Sequence, residues 1–183
     1  MAQTVVVFLA DGCEPIEALG PIDVLRRGGV EVAMASISQS LTVNAAHNIR
    51  IEADALLSEV DLPSFDMAIV PGGSVGVENL CKSLPVCEEL KRRMNAGQLT
   101  AAICAGPLVL NQEGLLEGRK AVCYPGCEEG WSEGIYQPNK RVFVDANLIT
   151  AVGPGAALEF GIVLLRALKG EEAANNAAAG MLI

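Results

Sequence analysis

Aromatic side chains are scarce in this chain, with one Trp, two Tyr and four Phe among 183 residues. Hydrophobic residues nonetheless reach 51%, so the core has to be built from Val, Leu, Ile and Ala. That composition fits a buried parallel sheet under helices and argues against a β-sandwich. Histidine is rarer still, His47 being the only one, and no two of the six cysteines form a C-x-x-C pair. A structural metal site is therefore not expected. Basic residues are few, 13 Lys and Arg against 22 Asp and Glu for a net charge of −9, and no window gathers enough of them to neutralise a run of phosphates. Nucleic acid is excluded as a partner on that ground. Long apolar runs are missing too. The longest near the start, Val5 to Ala10, is broken by Asp11 and Gly12, too short for a leader or a membrane span. A cytoplasmic protein with no membrane partner is expected, and no cofactor is demanded.

What is present points to one folded domain over residues 1–183. Charged residues make up only 19% and mean hydropathy is +0.36, which excludes disorder as the dominant state. A chain of this size needs no disulfide staples, so the cysteines are read as thiols. Thr4 to Ala10 reads as a strand, followed after Pro15 by Ile16, Leu19, Ile22 and Leu25 at helical spacing and closed by Gly28-Gly29. Val30 to Ser36 reads as a second strand, Leu41 to Glu52 as a small hairpin, and Met67 to Val70 as a buried strand stopped by Pro71-Gly72-Gly73. Ser83 is placed to cap a helix from Leu84 through Ala96, and Leu99 to Ile103 is another strand, with a short helix opening at Gly106-Pro107. Strands are then expected at Val142 to Val144 and Leu148 to Val152, a helix from about Ala156 to Leu168 with the stripe Leu158, Ile162, Leu165, Leu168, and a weakly helical tail from Glu171. Strands alternating with helices imply right-handed crossovers and a mostly parallel sheet between helical layers. Ligands in such sheets lie beyond the carboxyl ends of the strands. The residues to inspect are therefore Asp11 to Glu17, Pro71 to Ser74, and Cys104 to Pro107.

Cys104 sits at a strand-to-helix junction, Ala-Ala-Ile-Cys-Ala-Gly-Pro, where small neighbours let the chain turn sharply and present the side chain, as a nucleophile elbow presents a serine. Taken alone the residue reads equally as a small buried hydrophobe. At this junction the unpaired N–H groups of a helix start favour a thiolate, which predicts a lowered thiol pKa. The Gly72-Gly73 pair is either an ordinary tight turn or a small anion nest, whose N–H, beside that of Ala105, would bind an oxyanion. Glu17, one turn into the first helix, is either an exposed first-turn acid or a proton carrier at the same sheet edge.

Together these segments resemble the ThiJ/PfpI superfamily, and within it the DJ-one branch. The matching pieces are Asp11 to Glu17 with Asp23 to Gly29, Val70-Pro71-Gly72-Gly73, Ala101 to Pro107, and Gly153-Pro154-Gly155 leading into Glu159-Phe160. The resemblance implies a flavodoxin-like three-layer α/β sandwich, a homodimer with the first helix near Arg26 and Arg27 at the contact, and an oxidisable Cys104 touched by Glu17. It also implies N–H groups of Gly73 and Ala105 facing one pocket. Many members carry a histidine near the cysteine where this chain reads Cys123-Tyr124-Pro125-Gly126. Tyr124 then lines the pocket, and His47 reads as a surface residue. The implied activity is that of a glyoxalase III or deglycase acting on small α-oxoaldehydes such as methylglyoxal, through Cys104 and Glu17. The alternative is a redox-sensing or chaperone-like oxidative-stress protein with little turnover. Oxidation of Cys104 is expected to stop at the sulfinic acid, with a disulfide through Cys13 or Cys127, both placed near the pocket mouth, as the competing outcome.

Overall fold

A computed structural model describes residues 3–183. Its centre is a seven-stranded sheet made of β1 (Thr4–Leu9), β2 (Glu31–Ser36), β5 (Ala55–Leu56), β6 (Met67–Val70), β7 (Leu99–Ile103), β8 (Val142–Asp145) and β9 (Leu148–Ala151), in the order β5-β2-β1-β6-β7-β9-β8. All neighbours run parallel except β8, which turns back antiparallel onto β9. Read through β2-β1-β6-β7-β9, this is the doubly wound order of flavodoxin-like folds. The hairpin expected between Leu41 and Glu52 forms as β3 (Thr42–Asn44) and β4 (Arg50–Glu52), paired antiparallel apart from the main sheet.

Alternation along β1 explains the three layers. Val5, Val7 and Leu9 face one side, where α1 (Pro15–Arg27), α5 (Ala157–Lys169) and α6 (Glu171–Met181) cover them. Val6 and Phe8 face the other, under α2 (Ser74–Lys82), α3 (Leu84–Asn95) and α4 (Pro107–Gln112). Both faces are buried, which is why the strands read as unbroken apolar runs.

The helices depart from the sequence expectations in four places. Helix α2 has no counterpart among the expected elements, because Gly76 interrupts its pattern and only Val77 and Leu80 bury apolar side chains. Ser83 occupies the N-cap position of α3 but makes no side-chain capping bond. The expected apolar stripe of α1 is only half buried: Ile22 and Leu25 reach the core, while Ile16 is 56% and Leu19 38% exposed and Glu17 takes the inward place. The stripe of α5 likewise loses Leu158 to the surface, and its leucine tip lies over Gly20 of α1. Ile16, Leu19 and Leu158 thus leave an apolar face on the α1–α5 layer.

Candidate functional site

Four segments meet at the carboxyl edge of β1, β6 and β7. Cys104, the residue after β7, adopts φ +62°, a left-handed conformation that costs a non-glycine residue and occurs preferentially at functional sites. It is held there from both sides, its N–H donating to Ala151 O at 2.8 Å and its carbonyl accepting the Tyr124 N–H at 2.9 Å. The N–H groups of Gly73 and Ala105 point at the sulfur.

Glu17 is fully buried. One carboxyl oxygen, Oε2, accepts the Gly72 N–H at 3.0 Å, and the carboxyl group lies beside Cys104. The other oxygen, Oε1, is buried without a hydrogen-bond partner. Gly72 is what lets the acid and the thiol meet. A Cβ at that position would collide with Glu17 Oε2 and lie 2.6 Å from Cys104 Cβ.

Burial raises the Glu17 carboxyl to about 7, and the charge of Glu14 adds to the rise, while the Cys104 thiol and the Gly72 N–H restrain it. The acid is therefore divided between its two protonation states near neutrality. Cys104 departs from the sequence expectation. Its thiol is raised rather than lowered, by burial first and by the Glu17 charge second, and the two N–H groups only partly offset this. The pair accordingly behaves as a unit in which ionising one member opposes ionising the other. The helix start does not decide the acidity of this thiol; the adjacent carboxylate is the group that can take its proton.

The other expected pocket residues separate. Tyr124 is 51% exposed, and its ring and Cys104 Sγ both approach Gly153, with ring carbon Cδ2 3.2 Å and Sγ 3.9 Å from the point where a Gly153 Cβ would stand. Cys127 is half-buried and, with Ala105, Ser74, Cys81 and Leu108, lines a mostly apolar groove of about 540 Å³. Cys13 does not lie at the pocket mouth. It is fully buried in the core with the residues of α1 and β1, and burial pushes its thiol up to about 11. Two residues from segments the sequence marks, but to which it gives no role, belong to the neighbourhood, Glu14 and Gly153. Glu14 lies within one of the loops beyond the strand ends, yet an acid at a helix start carries no signal of its own. His47 is exposed, as expected, but its Nε2 lies 3.0 Å from Glu14 Oε2. Among the described residues, no three His, Cys, Asp or Glu side chains gather as metal ligands, and no helix is long and apolar enough to cross a membrane.

The model of the DJ-1/PfpI family matches residues 3–167. Among curated proteins, the chain is 41% identical over 173 residues to Protein DJ-1 homolog B of Arabidopsis thaliana, a match covering 94% of this chain and 40% of that protein. It is 34% identical to the Glutathione-independent glyoxalase DJR-1.2 of Caenorhabditis elegans, covering 95% of this chain and 92% of that protein. The chain spans less than half the length of the two Arabidopsis relatives it matches, 40% and 47%. Among solved structures, oxidized Toxoplasma gondii DJ-1 superimposes with a TM-score of 0.95 at 38% identity, over 99% of this chain and 98% of that one.

Proposed function

The chain belongs to the DJ-1/PfpI family, and from that premise we propose that it is a cysteine-dependent glyoxalase or deglycase-type enzyme converting small α-oxoaldehydes, such as methylglyoxal, into 2-hydroxy acids. One observation carries the reading: a fully buried carboxyl, raised to about 7, lies beside a thiol at which two backbone N–H groups point.

The chemistry follows from that arrangement. Glu17, as carboxylate, takes the thiol proton while Cys104 Sγ bonds to the aldehyde carbon. The aldehyde oxygen becomes negative beside the N–H groups of Gly73 and Ala105, a placement worth about 10²–10³ in rate per donor in related oxyanion sites. Glu17 returns the proton to that oxygen and is again a carboxylate. It then removes the hydrogen on the same carbon and delivers it to the neighbouring carbon, leaving a 2-hydroxyacyl thioester. Water attacks the thioester, the carbon–sulfur bond breaks, and the thiol is restored. Only substrate and water are consumed.

A second reading is an oxidative-stress protein in which Cys104 is oxidised and turnover is slight. It is supported by the same two N–H groups, which suit sulfinate oxygens as well as an alkoxide. The nematode relative, a glutathione-independent glyoxalase by name, favours the first reading. The deciding experiment is turnover of methylglyoxal by purified protein with lactate as the measured product, beside Cys104→Ser. Lactate formation that disappears in the variant is expected; equal turnover in both would sink the proposal.

A further inference from the structure

An α-oxoaldehyde has two oxygens on adjacent carbons, and the site as described holds one. The Gly73 and Ala105 N–H groups take the oxygen of the attacked carbon. When Glu17 removes the hydrogen from that carbon, electron density moves onto the oxygen of its neighbour, which then needs a proton donor. Tyr124, on the Gly153 side, is one side chain in reach of the rim. A second lies on the opposite side.

Beyond Gly73 a cavity of about 470 Å³ is walled by Gly73, Ser74, Val75, Glu14 and His47. Glu14 is nearly covered, with 13% of its side chain exposed. It is fixed to the site by its own N–H, which donates to Gly72 O at 2.9 Å, and its charge is felt at Glu17. Its Oε2 holds His47 Nε2 at 3.0 Å. The loop that carries His47 is tied to the loop that carries Glu14 by Ala46 N–H to Cys13 O at 2.9 Å and Gly12 N–H to Asn44 O at 2.8 Å. Within it, His47 and Asn48 both adopt left-handed backbone conformations, φ 60° and 59°. Two consecutive strained residues are a cost that an exposed ion pair does little to repay. They do place the only imidazole in the chain in the wall of the cavity that Gly73 also lines.

We propose that His47, held by Glu14, is a further catalytic residue of the glyoxalase reaction, giving its proton to the oxygen on the carbon next to the one Cys104 attacks. The inference rests on the function proposed above. With the Glu14 carboxylate accepting from Nε2–H, Nδ1 is the ring nitrogen left for the substrate. As Glu17 takes the carbon-bound hydrogen, the C–H pair becomes the carbon–carbon π bond, the carbonyl π pair moves onto oxygen, and that oxygen takes the Nδ1 proton to give an enediol. Glu17 then protonates the second carbon, and the first carbon's hydroxyl loses its proton to water as the thioester carbonyl forms. That released proton balances the one His47 regains from solvent. The hydroxyl made with the His47 proton remains in the product.

The test is steady-state kinetics with methylglyoxal for the unmodified protein, His47→Ala, His47→Gln and Glu14→Gln, with the rate of Cys104 alkylation by iodoacetamide as a check on the rest of the site. Loss of an acid in the transition state predicts that kcat falls about 10²-fold in both His47 variants. KM should stay within about threefold, because ground-state binding is little touched. Glu14→Gln should fall by a smaller factor, and alkylation should be unchanged in both His47 variants. A further readout is methylglyoxal deuterated at the aldehyde carbon, for which the isotope effect on kcat should rise in His47→Ala as hydrogen removal becomes slower. Unmodified protein that turns over while His47→Ala matches it overturns this inference and leaves the glyoxalase reading standing, and loss confined to Tyr124→Phe would hand the role to the phenol. A fall in kcat accompanied by slowed alkylation also overturns it, since His47 would then be supporting the loop alone. Absence of turnover in the unmodified protein overturns both.

Discussion

Replacing Glu17 by Gln should make the protein more stable above neutral pH while removing its activity. The sign comes from linkage. Glu17 is fully buried and its carboxyl is raised from 4.5 to about 7 in the folded chain. Between these values the unfolded chain has already lost the proton that the folded chain keeps, so stability falls as pH rises through that window, and the whole cost is present above about pH 7. The shift corresponds to about 3 kcal/mol. Gln has the same shape, keeps an oxygen for the Gly72 N–H and has no charge to desolvate, so it should lose this dependence. For a chain of this length, about 3 kcal/mol corresponds to about 6–12 °C in Tm. Thermal unfolding of both proteins at about pH 5 and pH 8 measures it: Tm of the unmodified protein should drop between the two pH values more than that of Glu17→Gln, with the variant ahead at the higher pH. Methylglyoxal turnover of the variant should fall by at least about 10²-fold, since the amide cannot accept the thiol proton. The reasoning is refuted if the two proteins show the same change in Tm between those pH values.

Gly72→Ala should disable the site by steric means, because the new methyl group would meet both Glu17 Oε2 and Cys104 Cβ; a loss of about 1–3 kcal/mol in urea unfolding, together with lost turnover, is expected. Graded peroxide followed by mass spectrometry should oxidise Cys104 before Cys13 and Cys87, which are buried, and stop mainly at the sulfinic acid; a dominant Cys104–Cys127 disulfide would contradict the second half of that statement. Light scattering should give about twice the 19.1 kDa of one chain, and Leu158→Asp, placed in the apolar face shared with Ile16 and Leu19, should shift the mass toward a single chain.

Most of the sheet is legible in the sequence because its strands are buried on both faces and stop at Gly or Pro. Met67–Val70 and Leu99–Ile103 are recovered residue for residue. Helix α2 is not legible, since its register is decided by Gly76 packing against the backbone of Cys13, a contact between distant parts of the chain. The orientation of α1 escapes a local reading for the same reason. Its apolar spacing favours Ile16 and Leu19 as inward residues, but the thiol and the Gly72 N–H give Glu17 an inward partner that no local pattern encodes. The position of Cys104 follows from topology, whereas its acidity does not. Helix-end arguments see the N–H groups but not the carboxylate of Glu17, which is distant in sequence.

The pinning of Cys104 has a consequence for how activity arises during folding. The thiol is aimed by Ala151 from the last strand and Tyr124 from the long connection, while its acid comes from the first helix. These contacts join the two ends of the chain, and loop closure over such separations comes late in assembly. A chain emerging in order, or refolding from denaturant, carries an ordinary thiol until β9 docks beside β7. The reactive centre therefore reports completion of the fold, and its appearance marks the final step rather than the first collapse.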